Sequence, residues 1–149
     1  MKKLFLLFSL FALSLNAQYL FLVDSYDKEI ELEAKIIAKI AQASLNEEIK
    51  LYIPDITPQE KQVYMHHFQL VDDCKEANFI FNKRASSFEC ETQDKLYFTN
   101  NYRKLLSDQR YYGAFFWSKS RPNIVFVKER LAQNNVHLSS EYAQFIEEF

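Results

Sequence analysis

Apolar positions recur along this chain in two periods, and each switch between them marks an element. From Lys28 to Ala43, Ile30, Ala34, Ile37 and Ala41 return at helical spacing, with Ile36 and Ile40 widening the stripe. Glu29, Glu31, Lys35 and Lys39 fall mostly on the other side, and Asp27 stands where a cap belongs. Glu31 precedes Lys35 at the spacing and in the order that favour an ion pair along a helix. Ile49-Lys50-Leu51-Tyr52-Ile53 then alternates as a strand does. Thr57-Pro58-Gln59-Glu60 predicts a helix start, with a cap, proline at the first position and glutamate at the third, for a helix running to about Phe68.

Gln69 to Val71 reads as a short extended piece and Ala77 to Asn82 as a strand. Lys83 to Gln93 is polar, a loop or a short edge hairpin. Leu96 to Thr99 is a further strand, and Thr99 or Asn100 caps a short helix through Leu106. Ser107 to Arg110 links this to the stretch around which the rest is organised. Gly113-Ala114-Phe115-Phe116-Trp117 and Asn123-Ile124-Val125-Phe126-Val127 flank a polar turn, Ser118 to Arg121, and read as a β-hairpin whose second strand is buried on both faces. Leu131, Val136, Leu138, Tyr142, Phe145 and Ile146 then follow helical spacing, with Ser139-Ser140 as the cap. Helices alternating with short apolar strands predict one α/β domain. Its mixed, mostly parallel sheet would carry flanking helices and a C-terminal β-hairpin plus helix, the hairpin forming an antiparallel edge.

The N-terminus stands outside that pattern. Lys2-Lys3, an apolar run from Leu4 to Leu15 and Asn16-Ala17 have the form of a secretory signal peptide, too short to span a bilayer. The expected division is a signal peptide over residues 1–17 and an α/β domain over 18–149. The run Gln18 to Val23 is then a first strand or a linker left by processing. Removing the 17 residues leaves 132, with 16 basic and 20 acidic side chains, a formal charge of about −4. That mild acidity argues against nucleic acid, whose binding gains from a positive surface, and against docking on anionic lipid. The expected product is periplasmic, with no membrane span once cleaved.

Export changes the meaning of the cysteines. Cys74 and Cys90 are the only two, and in an oxidising compartment they are expected to join. They lack the Cys-x-x-Cys spacing of a redox enzyme. Other chemistry is sparse. His66-His67 invites a metal, but neighbours on a helix point about 100° apart and cannot easily share one ion, so a surface pair is the plainer reading and no metal is expected. One glycine in the whole chain excludes the glycine-rich phosphate loops. Asp72-Asp73 and Glu147-Glu148 read as solvated acidic neighbours. No catalytic residues are expected, no cofactor is implied, and enzyme activity is disfavoured.

The aromatic load is the anomaly. Tyr111, Tyr112, Phe115, Phe116 and Trp117 crowd together with Arg110 and Arg121 nearby. Aromatic residues and arginine are the types enriched at protein–protein hot spots, although alternate strand positions would simply fill a core. Trp117, Arg121, Arg110 and Tyr112 are therefore the candidate protein-contact residues, with Arg121 beside Trp117 foremost.

In its order of elements the chain resembles the YfiR-like periplasmic proteins. The likeness lies in Ile49 to Asp55, Cys74 to Phe81 and Leu96 to Thr99. It continues in Gly113 to Phe116, Arg121 to Phe126 and Val136 to Ser140. Lys128 stands near the strand end where that family has asparagine, and the cysteines are fewer than in its best-known member. The resemblance implies a small α/β regulator that binds the periplasmic domain of a membrane-bound diguanylate cyclase, with disulfides tied to redox state. The leading expectation is thus a non-enzymatic regulator or adaptor for a membrane signalling protein. The alternatives are an assembly component of a cell-envelope complex and, third, a small solute-binding protein. A homodimer is left open.

Overall fold

The computed structural model describes residues 26–84, 88–90 and 94–149. The expected signal peptide and the run 18–23 lie outside the described residues. α1 covers residues 26–44, β1 Lys50–Tyr52 and α2 Pro58–Tyr64. β2 is Gln69–Leu70, β3 Phe79–Asn82 and β4 Leu96–Thr99. Beyond them lie α3, Tyr102–Ser107, β5, Tyr111–Ser118, and β6, Arg121–Val127. α4 is Lys128–Gln133 and β7 Ile146–Glu147. Cys74–Glu76 and Ser140–Phe145 are 3-10 turns.

The strands form one seven-stranded sheet in the order β2-β1-β3-β4-β5-β6-β7. β2, β1, β3, β4 and β5 run parallel, β6 is antiparallel to β5, and β7 is parallel to β6. This is the mixed, mostly parallel α/β domain that the alternation of helices and strands predicts. The order is doubly wound: the chain steps from β1 outward to β2, then returns past β1 to β3 and on to β5. β3 and β4 are buried at every position, as strands covered on both faces must be.

On one face Ile37 and Ile40 of α1, Tyr64 of α2 and Leu131 of α4 pack onto Leu51, Phe79, Phe81, Phe98, Tyr112 and Phe126. On the other, Leu105 of α3 and the segment holding Cys74 and Cys90 cover Ile80, Tyr97, Tyr111, Ala114, Val125 and Val127. The single glycine sits at a fault in this alternation. Tyr97 lies opposite Tyr111 while Phe98 lies opposite Gly113, so Tyr112 is the extra residue of a β-bulge. Tyr112 and Gly113 both turn toward the first face. A Cβ at Gly113 would lie 2.6 Å from the Phe98 ring, 2.8 Å from the Phe126 ring and 2.9 Å from the Val125 carbonyl oxygen.

The C-terminal part differs from expectation. β5 starts at Tyr111, and the turn is only Lys119-Ser120, with φ of 49° and 60°, the left-handed pair that suits the twist of a two-residue hairpin. β6 is buried on both faces only over its last three residues, Val125 to Val127. Arg121 and Pro122 are exposed and burial begins at Val125, because the hairpin projects beyond β4, whose last residue, Thr99, pairs with Ala114. A helix, α4, follows the hairpin as expected, but it does not run on through the C-terminal apolar positions. α4 stops at Gln133, Asn135 takes a φ of 53°, and residues 140–145 form only a 3-10 turn. Ser139 makes no cap bond to the backbone; its hydroxyl bonds the Glu141 carboxylate at 3.0 Å. β7 covers only the base of the hairpin, pairing with β6 at Phe126 and Val127, so among the described strands the rest of β6 forms the expected antiparallel edge. Elsewhere α1 is already under way at residue 26, so Asp27 accepts from Gln59 Nε2 at 2.5 Å instead of capping. α2 ends at Tyr64 because His66 and His67 close turns onto Val63 and Tyr64. α3 is capped by Asn101, whose side chain accepts from the Lys104 amide.

Candidate functional site

The doubly wound order has its switch point between β1 and β3, and in such sheets ligand crevices form outside the carboxyl ends of the strands there. Four charged side chains meet at that place. Glu60 comes from the first turn of α2, where the predicted capping box is present: Thr57 accepts from the Glu60 amide and the Glu60 carboxylate accepts from the Thr57 amide. Lys83 and Arg84 follow the last residue of β3, and Glu33 projects from α1. Lys83 Nζ donates to Glu33 Oε1 at 2.5 Å and to Glu60 Oε1 at 2.6 Å. Arg84 forks onto Glu60, at 2.6 Å and 2.9 Å. The Tyr64 hydroxyl donates to Glu33 Oε1 at 2.8 Å.

Only Arg84 in this group reaches water appreciably; the Glu60 side chain is 1 % exposed. Burial pushes the Glu60 carboxyl up, but the bonds from Arg84 and Lys83 outweigh it and hold the group at about 2. Burial, then the Glu33 charge, push the Tyr64 hydroxyl well above its ordinary value, so it stays a donor. Two carboxylates and two cations thus neutralise one another with their bonds filled.

The β5–β6 hairpin overhangs this cluster. Trp117 packs edge-on against Phe115 at 5.8 Å yet stays 43 % exposed. Lys119 and Arg121 at the tip are exposed, and among the described residues neither has an ion-pair partner. Tyr26, Lys83, Arg84, Asn100 and Trp117 share a crevice of about 220 Å³.

Of the candidate contact residues, Trp117 and Arg121 are both on the surface near the hairpin tip, but Trp117 pairs with Pro122 and Arg121 with Ser118, so their side chains leave opposite faces of the ribbon. Tyr112 is corrected: it is fully buried, because the bulge turns it into the core, where its hydroxyl meets Ser44 Oγ at 2.8 Å. It offers nothing to a partner. Arg110 is partly exposed but engaged elsewhere. It forks onto Asp108, with its shortest bond 2.7 Å, donates to the Phe88 carbonyl at 2.8 Å and lies over the Tyr97 ring. Its hydrogen bonds hold the Asp108 carboxyl below its ordinary range.

The cysteines are joined, with 6.1 Å between their Cα atoms. The bridge, the stacking of Phe88 on Tyr52 at 5.6 Å and the Arg110 bond fix residues 88–90 on the second face of the sheet. Reduction, or Cys90→Ser, is expected to lower stability by about 2–3 kcal/mol, since the closed loop of sixteen residues restricts the unfolded chain. Urea unfolding with and without dithiothreitol measures it. The loss should be small in Cys74→Ser, which has no bridge left to reduce.

His66 and His67 diverge as their spacing implies; His67 Nε2 lies 3.0 Å from Glu31 Oε1. No group of three metal-ligating side chains occurs among the described residues, and none of their helices is long and apolar enough to cross a membrane. The charged cluster escaped the sequence. The Thr57–Glu60 box was visible as a helix start, but nothing local said that the same carboxylate would hold two cations from the end of another strand. The one signal was a Lys-Arg pair directly after a strand that is apolar up to its last residue, Asn82. Comparison with protein-family models, curated proteins and solved structures finds no match.

Proposed function

We propose that this chain is exported to the periplasm and acts there as a non-enzymatic regulator or adaptor, binding the periplasmic domain of a membrane signalling protein through its overhanging hairpin. The observation that carries the reading is the projecting hairpin: a half-exposed Trp117, with Lys119 and Arg121 at the tip of the same ribbon and neither of them ion-paired among the described residues. Tryptophan and arginine are the residue types enriched at interface hot spots. The likeness to YfiR-like proteins and the disulfide support the compartment and the class of partner. The filled bonds of the switch-point cluster favour a binding role over catalysis. Binding would regulate only in so far as the partner's two states differ in affinity for this surface.

The test places a photo-crosslinking residue at position 117 in living cells, with position 65 as the control. Met65 is 61 % exposed but lies beyond the far end of α2. The expected result is an adduct with the periplasmic domain of one membrane protein from position 117 and not from 65. Retention of the chain in the cytosol, or the same adducts from both positions, overturns the reading. Trp117→Ala and Arg121→Glu should each weaken that complex tenfold or more, and Arg121→Glu, at an exposed position, should leave stability within about 0.5 kcal/mol.

A further inference from the structure

The crevice under the hairpin has chemistry that the partner reading leaves unused. Glu33 and Glu60 are satisfied by Tyr64, Lys83 and Arg84. Glu29 is the further carboxylate on its wall. It is exposed, and among the described residues it has no ion pair or hydrogen bond. Two aromatic side chains share that wall, Tyr26 at 41 % and Trp117 at 43 % exposure, and Asn100 adds a neutral amide.

We propose that this crevice binds a small organic cation, a compound with an ammonium or quaternary ammonium head. With the two cations of the cluster cancelled by two acids, Glu29 leaves the lining with a charge of about −1, which low-dielectric walls focus inward. Aromatic rings attract a cation through their quadrupole and pack its methyl or methylene groups. An anion would meet the opposite conditions. The Arg84 fork is committed to Glu60, and drawing it away would strand a buried carboxylate. The volume, about 220 Å³, falls below the roughly 300–1,000 Å³ of sites for drug-sized ligands, so the occupant is small. The crevice also lies at the carboxyl edge beside the switch point, where doubly wound sheets place their ligands. This proposal stands apart from the partner reading and its test uses no partner.

Trp117 is the only tryptophan in the chain, so tryptophan emission, excited beyond the absorption of tyrosine, reports on this wall. The purified protein is titrated with choline chloride and with putrescine dihydrochloride, and in parallel with sodium chloride and sodium acetate at matched ionic strength. The expected result is a saturable change in emission with at least one of the two cations and none with either sodium salt. A melting temperature that rises with the concentration of that cation should accompany it. Glu29→Gln should weaken the apparent affinity tenfold or more and leave the melting temperature of the free protein unchanged. No saturable change with either cation, an equal response to sodium chloride or acetate, or a response that Glu29→Gln leaves intact overturns the proposal.

Discussion

Glu60→Gln is expected to destabilise the protein by about 3–5 kcal/mol, the usual cost of removing one partner from a buried ion pair. Glutamine can still reach back to the Thr57 amide, so the helix cap survives and the loss reports the charge. What remains is Lys83, with its side chain 7 % exposed, facing Glu33 alone, and Arg84 without its fork. Because Arg84 can turn toward water, the lower end of the range is expected. Urea unfolding at neutral pH should show a lower midpoint with an unchanged slope. The acid limb carries the second signature. The folded Glu60 carboxyl sits at about 2, below its ordinary value of 4.5. A lowered acid contributes stability that is fully present above the unfolded value and is lost as the pH falls from about 4.5 to 2, here about 3 kcal/mol. Wild type should therefore lose stability through that window, and Glu60→Gln should lose much less. Equal acid sensitivity in the two proteins would show that the cluster does not hold this charge.

Gly113→Ala is the other change with a large expected effect, about 3 kcal/mol, the upper part of the range for overpacking a filled core. Three atoms stand within 3.0 Å of where the methyl must go, and one of them is the backbone oxygen of Val125, which no rotamer change can move. The bulge cannot yield either, because shifting it would carry Tyr112 away from Ser44. Thermal unfolding should show a melting temperature lower by roughly 6–12 °C, on the scale of about 2–4 °C per kcal/mol for chains of this size. Phe98→Leu in the same background should recover only part of the loss, since the carbonyl contact remains.

These two residues also show where the sequence was legible. The periodicities were enough for the fold class, because burial on one stripe of α1 and on both faces of β3 and β4 leaves a direct trace in residue type. The capping box at Thr57 and the pairing of Cys74 with Cys90 could be read for the same reason, each being a local or forced arrangement. Gly113 stood out as the one glycine, but its purpose depends on two rings brought to it by β4 and β6. The Glu60 cluster joins three elements, and no periodicity encodes which loop ends meet. The final helix was misread because Val136 to Ile146 has helical spacing over residues that bury themselves in single turns against Phe126 and β6. Tyr112 was taken for surface for a related reason: a bulge shifts the alternation by one, and the sequence carries no mark of it.

The outermost strands, β2 on one side and β7 on the other, are two residues each. A sheet of seven strands would otherwise present long rows of unpaired amides and carbonyls to any passing chain. At those margins an incoming strand finds only two residues to align with, and the longer open stretch, Arg121 to Val125 of β6 beyond the reach of β7, carries an exposed arginine and a proline that cannot donate to a ladder. Lengthening either margin, for example by extending β7 past Phe149 with alternating valine and threonine, should make the protein more prone to pair edge to edge and aggregate.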